Sequence, residues 1–195
     1  ASSQESNVDG VPTKSFTFLK TNIKLSESTD KVGSQLAIVQ EWFKPDGEPS
    51  VAAYIIANVE ESNLGGFPTE RYTFLKDNAV LSESEDKVGS QLAIVKEIFG
   101  DDIVDPVVNG YEIAKTEESN VDGIPTKRFT LLKTDIEISR SLDRVGSQEA
   151  LVVEFFKRTV TTDPTESGYA LAKSEKSDIG GFPTERFTFL KSDAV

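Results

Sequence analysis

The sequence predicts an all-β protein, built as a tandem array of small four-stranded units. Two blocks of sequence recur along the 195 residues, with spacings of 56, 57 and 58 residues. Within them, aromatic and β-branched residues alternate with polar ones, which is typical of strands. Gly-containing links between these segments are typical of hairpins. Self-similarity at a fixed period indicates an array of small structural units rather than one large domain.

The first recurring block predicts a hairpin of two strands, called types A and B here. In PTERYTFLK the side chains of Tyr72 and Phe74 point to one face and those of the intervening residues to the other. GYEIAKTEES predicts the A strand that precedes it, and Pro at the start of the B strand is tolerated because no partner needs its N–H there. The block occurs at 5–20, 61–76, 118–133 and 176–191.

The second block predicts two further strands, C and D. LSESED reads as a short polar strand C, and SQLAIVKEIF (90–99) as an apolar strand D after a glycine turn. The spacing in SQLAIVKEIF also fits a helix with Ser90 as its N-cap. The third copy, SQEALVVEFF, is β-branched and aromatic, and therefore favours a strand.

These blocks divide the chain into a partial repeat and three complete ones. Residues 1–20 form the orphan hairpin of a partial repeat. Complete units follow at 21–76, 77–133 and 134–195. Units of this size bury only about 60% of their unfolded surface, so we expect contacts with neighbouring units or chains to add stability. Because the sequence begins with Ala1 late in an A strand, we expect a segment of a longer polypeptide.

All length variation falls between strands D and A. The segments 44–53, 100–110 and 157–168 differ in sequence and are rich in Pro, Gly, Asp and Thr, as surface loops are. We expect any ligand contact to use their charged residues: Lys44, Asp46, Glu48, Asp101, Asp102, Asp105, Lys157, Arg158, Asp163 and Glu166.

The predicted core consists of the recurring apolar positions of strands B and D. Its members are Phe16, Phe18, Ile38, Val39, Phe43, Tyr72, Phe74, Ile94, Val95, Phe99, Phe129, Leu131, Leu151, Val153, Phe156, Phe187 and Phe189. The single Trp42 is expected in the core or at a joint between units.

A glutamate recurs in each apolar D strand and an arginine in each complete B strand. A half-buried carboxylate needs a partner. The sequence therefore predicts structural ion pairs between strands B and D rather than a catalytic carboxylate. The pairs would draw on Glu41, Glu97 and Glu154 and on Arg71, Arg128 and Arg186.

Composition argues against several classes of function. A net charge of −12 disfavours nucleic-acid and anionic-membrane partners. The chain contains no Cys and no His, which removes thiolate chemistry and the side chain used most as a general base. The acidic run SESEDK suggests calcium, but its counterpart SRSLDR does not. No phosphate-loop or nucleophile-elbow pattern occurs, so we expect neither an enzyme nor a cofactor.

The recurring motifs x-G-[FIV]-P-T-x-R-[FY]-T-F-L-K and D-[KR]-V-G-S-Q resemble β-rich repeat segments of bacteriophage structural proteins, such as fibres, tail appendages and capsid decorations. The resemblance implies an oligomeric virion component that spans, stabilises or attaches. Its partners would be copies of itself, other structural proteins of the same assembly, and a host-surface receptor.

Two alternatives remain open at this point. One is a bacterial cell-surface adhesin or extracellular filament subunit, which would also place the chain outside the cell. The other is a carbohydrate-binding module that uses the variable loops. Because these loops differ from one unit to the next, three identical sugar sites are not expected.

Overall fold

The computed structural model of the chain describes residues 2–192, and its regular structure there is entirely β. The prediction of a tandem array of four-stranded β-units is confirmed. SQLAIVKEIF forms a strand, not a helix. The strands are β1 (Ser2–Val8), β2 (Val11–Thr17), β3 (Ile23–Val32), β4 (Gln35–Phe43), β5 (Ile55–Leu64), β6 (Phe67–Leu75), β7 (Ala79–Val88), β8 (Gln91–Phe99), β9 (Tyr111–Val121), β10 (Ile124–Lys133), β11 (Ile136–Val145), β12 (Gln148–Phe156), β13 (Tyr169–Ile179) and β14 (Phe182–Lys191).

Each complete repeat forms one four-stranded antiparallel sheet with the strand order C-D-B-A. The orders are β3-β4-β6-β5, β7-β8-β10-β9 and β11-β12-β14-β13. The D and B strands therefore occupy the centre, and the C and A strands form the edges. β1 and β2 pair only with each other.

The A–B hairpins turn on two residues with positive φ. In the middle sheet these are Asp122 (φ 52°) and Gly123 (φ 82°). Two successive left-handed residues give the turn whose twist matches that of the flanking strands. Asp and Gly tolerate this conformation better than other residues, which explains why the links read DG or GG.

The contacts of the chain divide it into two compact units, and the boundary crosses the middle sheet. One unit comprises Ala1–Leu81, Ile98–Val104 and Asn120–Thr126. The other comprises Ser82–Glu97, Asp105–Ser119 and Lys127–Val195. Each unit contains one joint at which a glycine turn between C and D strands meets the C strand of the following repeat.

The joint in the first unit is a close backbone contact surrounded by apolar side chains. The Ser34 N–H donates to the Leu81 carbonyl at 2.8 Å. A Cβ on Gly33 would lie 2.2 Å from that same oxygen, so only glycine fits. The buried cluster around the joint comprises Val32, Ala37, Leu75, Ala79, Leu81, Phe99 and Ile124.

The joint in the second unit repeats this geometry. The Ser90 N–H donates to the Ile138 carbonyl at 2.8 Å, and the Gln91 side-chain amide donates to the Glu137 carbonyl at 2.9 Å. A Cβ on Gly89 would lie 2.5 Å from the Ile138 oxygen. The buried cluster here comprises Val88, Ala93, Leu132, Ile138 and Phe156.

Most of the predicted core is buried, but the orphan hairpin is not. Phe16 and Phe18 are 58% and 77% exposed, so their assignment to the core is wrong. They lie on a hairpin that no D strand covers. Ile38 and Ile94 are only half-buried. The remaining predicted core residues are buried.

We expect Gly89→Ala to destabilise the protein more than Gly146→Ala. Both glycines have positive φ, which alone makes alanine about 1–2 kcal/mol less favourable. At Gly89 the new methyl group would also clash with Ile138, whereas nothing lies within 4 Å of a Cβ on Gly146. Urea unfolding of both variants should separate them by a further ~1–3 kcal/mol. Equal losses would contradict the joint as described.

Candidate functional site

The glutamate of each D strand is held by hydroxyl groups from the A and B strands. In the first sheet the Glu41 carboxylate accepts hydrogen bonds from Thr69 Oγ1 at 2.9 Å and Ser62 Oγ at 3.4 Å. Ser62 and Thr69 face each other across the A–B pair. We call this group of Glu, Ser and Thr the glutamate clasp, because it joins three strands through one carboxylate.

Parts of the same clasp recur in the other sheets. Ser119 Oγ donates to Glu97 Oε1 at 3.2 Å. Thr184 Oγ1 donates to Glu154 Oε2 at 2.8 Å, and Glu154 is buried. A buried carboxylate that accepts hydroxyl hydrogen bonds avoids much of its desolvation penalty. Sequence reasoning missed these donors, although Ser and Thr recur in every copy of ESN and PT.

The predicted arginines lie between acidic residues of neighbouring strands. In the middle sheet, Arg128 Nη1 is 3.8 Å from Glu97, its Nε is 3.7 Å from Glu117, and its Nη2 is 3.5 Å from Asp86. Each B-strand arginine therefore has access to carboxylates on both of its sides. This arrangement neutralises charge within the sheet.

The other two arginines show how this network varies. Arg71 lies 3.5 Å from both Asp30 and Glu60, while Glu41, its partner in register, is held by the clasp. Arg186 is in register with Glu154 and Glu175. The pKa of Glu175 is lowered by a hydrogen bond from Lys173 and further by the charge of Arg186.

A recurring Asn or Asp after each B strand holds the beginning of the variable loop. Asn78 has a positive φ of 56°; its side-chain oxygen accepts from the Val104 N–H at 2.7 Å, and its amide donates to the Asp102 carbonyl. Asp135 accepts from the Thr159 N–H at 2.6 Å, which helps to lower the pKa of that carboxyl group. Asn22 accepts from the Asp46 N–H at 3.3 Å.

The end of each loop is fixed by a turn before the first tyrosine of the A strand. Tyr54, Tyr111 and Tyr169 each donate a backbone hydrogen bond to the carbonyl three residues earlier, at 3.1, 3.0 and 3.1 Å. The loops are therefore tied at both ends to residues that recur, while the sequence between the ties changes.

The predicted loop-contact residues fall into two groups. Most are exposed: Lys44, Asp46, Glu48, Asp101, Asp102, Asp105 and Asp163. Lys157 and Glu166 instead form ion pairs within the chain, with Glu112 and Arg140 respectively. Arg158 packs over the rings of Phe187 and Phe155, with centroid distances of 5.0 and 5.3 Å.

Arg158 also lines an open groove at the third loop. The groove has a volume of about 630 Å³, and its walls include Thr161, Asp163, Lys176 and Glu185. Polar side chains of both signs surround one aromatic surface, Phe187. Such a surface can bind a polar ligand through hydrogen bonds and stacking.

Comparisons with known proteins give no relative: no protein-family model, curated protein or solved structure matches this chain. Residues 2–192 contain no cluster of three or more acidic, His or Cys side chains placed to bind a metal. The same residues include no helix long and apolar enough to cross a membrane.

We expect Thr184→Val to lower the free energy of unfolding by about 1.5–3 kcal/mol, because it removes a hydrogen bond to a buried charged group. Thr126→Val is the matched control. Thr126 occupies the equivalent position, yet its hydroxyl is buried without a hydrogen-bond partner among the described residues. Its replacement should be neutral or stabilising in a denaturant titration. A large loss for both variants would contradict the clasp.

We expect Arg140→Gln to weaken the dependence of stability on acidic pH. Hydrogen bonds from Arg140 lower the pKa of Glu166 below 4.5 in the folded state. A lowered carboxyl pKa stabilises the fold above the unfolded pKa, and this contribution disappears as pH falls through the folded value. Unfolding measured from pH 7 to pH 3 should therefore change less in the variant. Arg144→Gln, at an exposed residue with no ion pair within residues 2–192, should keep the original pH dependence.

Proposed function

We propose that this chain is a non-enzymatic structural component of a virion appendage, fibre or capsid decoration, where it spans, stabilises or attaches. The observation that carries the proposal is the recurrence of one joint. Two successive repeats are connected by the same Ser-to-carbonyl hydrogen bond at 2.8 Å, over the same kind of apolar cluster. Repeated joints suit a protein that must build an array of defined length.

The distribution of constant and variable parts supports this role. Clasp, arginine network and joint glycines recur, whereas the loops change in length and sequence. An active site needs several different groups that converge at one place. Here the recurring polar groups hold strands together, and the variable groups are surface charges.

The surface charge also supports a place in an exposed assembly. A net charge of −12 keeps such a surface well hydrated and self-repelling. Specific contacts with other subunits would then be made by defined patches. We propose that the protein resides in a virion or on a cell surface, with copies of itself or other structural proteins as partners.

A second candidate function, attachment as a cell-surface adhesin, is favoured by the groove at the third loop. Its combination of Phe187, Arg158 and acidic side chains suits a polar ligand such as a glycan. The other two loops carry different residues at the equivalent positions. Such a site would therefore occur once in the chain, and a glycan-array screen tests it directly.

Immunogold electron microscopy tests the proposed location. Antibodies against the purified chain would be applied to the cells that express it and to virus particles released from them. We expect gold on an appendage or the capsid surface of the particles, with pre-adsorbed antibody as the control. Label confined to the cell envelope would overturn the virion role in favour of the adhesin. Label confined to the cytosol would overturn both.

A further inference from the structure

We infer that the orphan hairpin β1–β2 is a docking half-site for a C–D strand pair of the same repeat type, carried by a polypeptide segment outside residues 1–195. In this complex, the glutamate of the incoming D strand lies between the hydroxyl groups of Ser6 and Thr13. The inference applies equally to a virion component and to an adhesin.

The first observation is that the hairpin keeps both hydroxyl donors of the glutamate clasp. Ser6 and Thr13 are equivalent to Ser62 and Thr69, which hold Glu41 in the first sheet. Ser6 and Thr13 are paired in register as well, and their hydroxyl groups hydrogen-bond to each other at 2.8 Å. The two donors are thus already together, with no carboxylate between them.

The second observation concerns the aromatic residues of β2 and the segment after it. Phe16 and Phe18 stack with centroids 6.4 Å apart and an interplanar angle of 22°. The equivalent pair in β6, Tyr72 and Phe74, has 6.3 Å and 23°. The first pair is 58% and 77% exposed, and the second 3% and 1%. The exposed pair therefore already has the geometry that the buried pair adopts under a D strand.

The third observation is the free edge of β2. In the first sheet the equivalent edge of β6 pairs with β4, where Ile38 faces Phe74 and Glu41 faces Arg71. An unpaired edge beside exposed aromatic side chains is a template for an added strand. Main-chain hydrogen bonds would provide affinity, and the clasp would provide register.

A second copy of the described chain cannot supply this strand. The D strands β4, β8 and β12 are each paired on both edges within residues 2–192. The occupant must therefore present a C–D pair that is not already covered by its own hairpin.

The hairpin differs from the other three in one respect that fits an exchangeable partner. Ser15 stands where the other B strands have arginine, and Gln4 where the other A strands have glutamate. Both charges are replaced together, so the free hairpin does not expose an unpaired one. The incoming strand would bind through the clasp and the aromatic face alone.

A peptide titration of the full chain tests the inference. A synthetic peptide of Ile23–Phe43 contains one C–D pair, and NMR spectra of the isotope-labelled chain report where it binds. We expect saturable changes in residues 2–18 and none in the exposed loop around Val107. A peptide with Glu41→Ala should bind about tenfold more weakly, because it lacks the group that the two hydroxyls hold.

Variants of the chain complete the test. Thr13→Val should weaken the original peptide about tenfold yet leave the Glu41→Ala peptide unaffected, as a double-mutant cycle requires. Phe18→Ser should remove binding, while Val107→Ser, at a residue that is 94% exposed, should not. Equal binding of both peptides to all variants would mean nonspecific edge pairing and would overturn the inference. Dimerisation of the chain alone through residues 2–18 would also overturn it.

A fused chain keeps the test decisive if the free peptide aggregates. Residues 21–56 placed directly before Ala1 restore the C and D strands in the register of the first repeat. We expect amides of β2 to become strongly protected from hydrogen exchange, and Glu41→Ala in the fused segment to reduce that protection about tenfold. Unchanged exchange in β2 would overturn the inference.

Discussion

The architecture depends on a close approach between two backbones at each joint. The glycine turn between a C and a D strand lies so near a carbonyl of the next C strand that no Cβ can fit, at Gly33 against Leu81 and at Gly89 against Ile138. The serine that follows each glycine uses this proximity for a hydrogen bond. The approach also excludes water from the surrounding apolar cluster. Because small sheets bury little surface by themselves, this contact lets neighbouring repeats share a core.

The strands could be predicted from sequence, whereas burial at the ends and joints could not. Alternation identified β6 and its equivalents, and β-branching in SQEALVVEFF favoured the strand that β8 and β12 form. Phe16 has the same local sequence as Tyr72, but its burial depends on whether a D strand is present beside it. Leu81 and Ile138 lie in polar surroundings along the chain and are buried by a turn from the preceding repeat. No local pattern contains that information.

The polar groups divide in the same way. The recurrence of glutamate and arginine at fixed strand positions was sufficient to place them in neighbouring strands, and Arg128 does lie near Glu97. The hydroxyl donors were missed because their role depends on the register of three strands at once, which a single strand does not reveal. The clasp and the joints make each repeat nearly interchangeable, while the tied loops allow surface change without disturbing the sheets. This separation is what an assembly protein requires, because its subunits must fit together while their exposed parts diversify.

The near identity of the clasps has a consequence for refolding. A D strand newly released from the denatured chain meets several hairpins that offer the same hydroxyls and aromatic surface. Its own hairpin is closer along the chain: Glu41 and Thr69 are 28 residues apart, whereas Thr126 is 85 residues from Glu41. By loop-closure entropy this proximity favours the correct partner by only about 1 kcal/mol. Strand exchange between repeats therefore competes with native pairing, and kinetic traps of this kind are characteristic of proteins with near-identical tandem units.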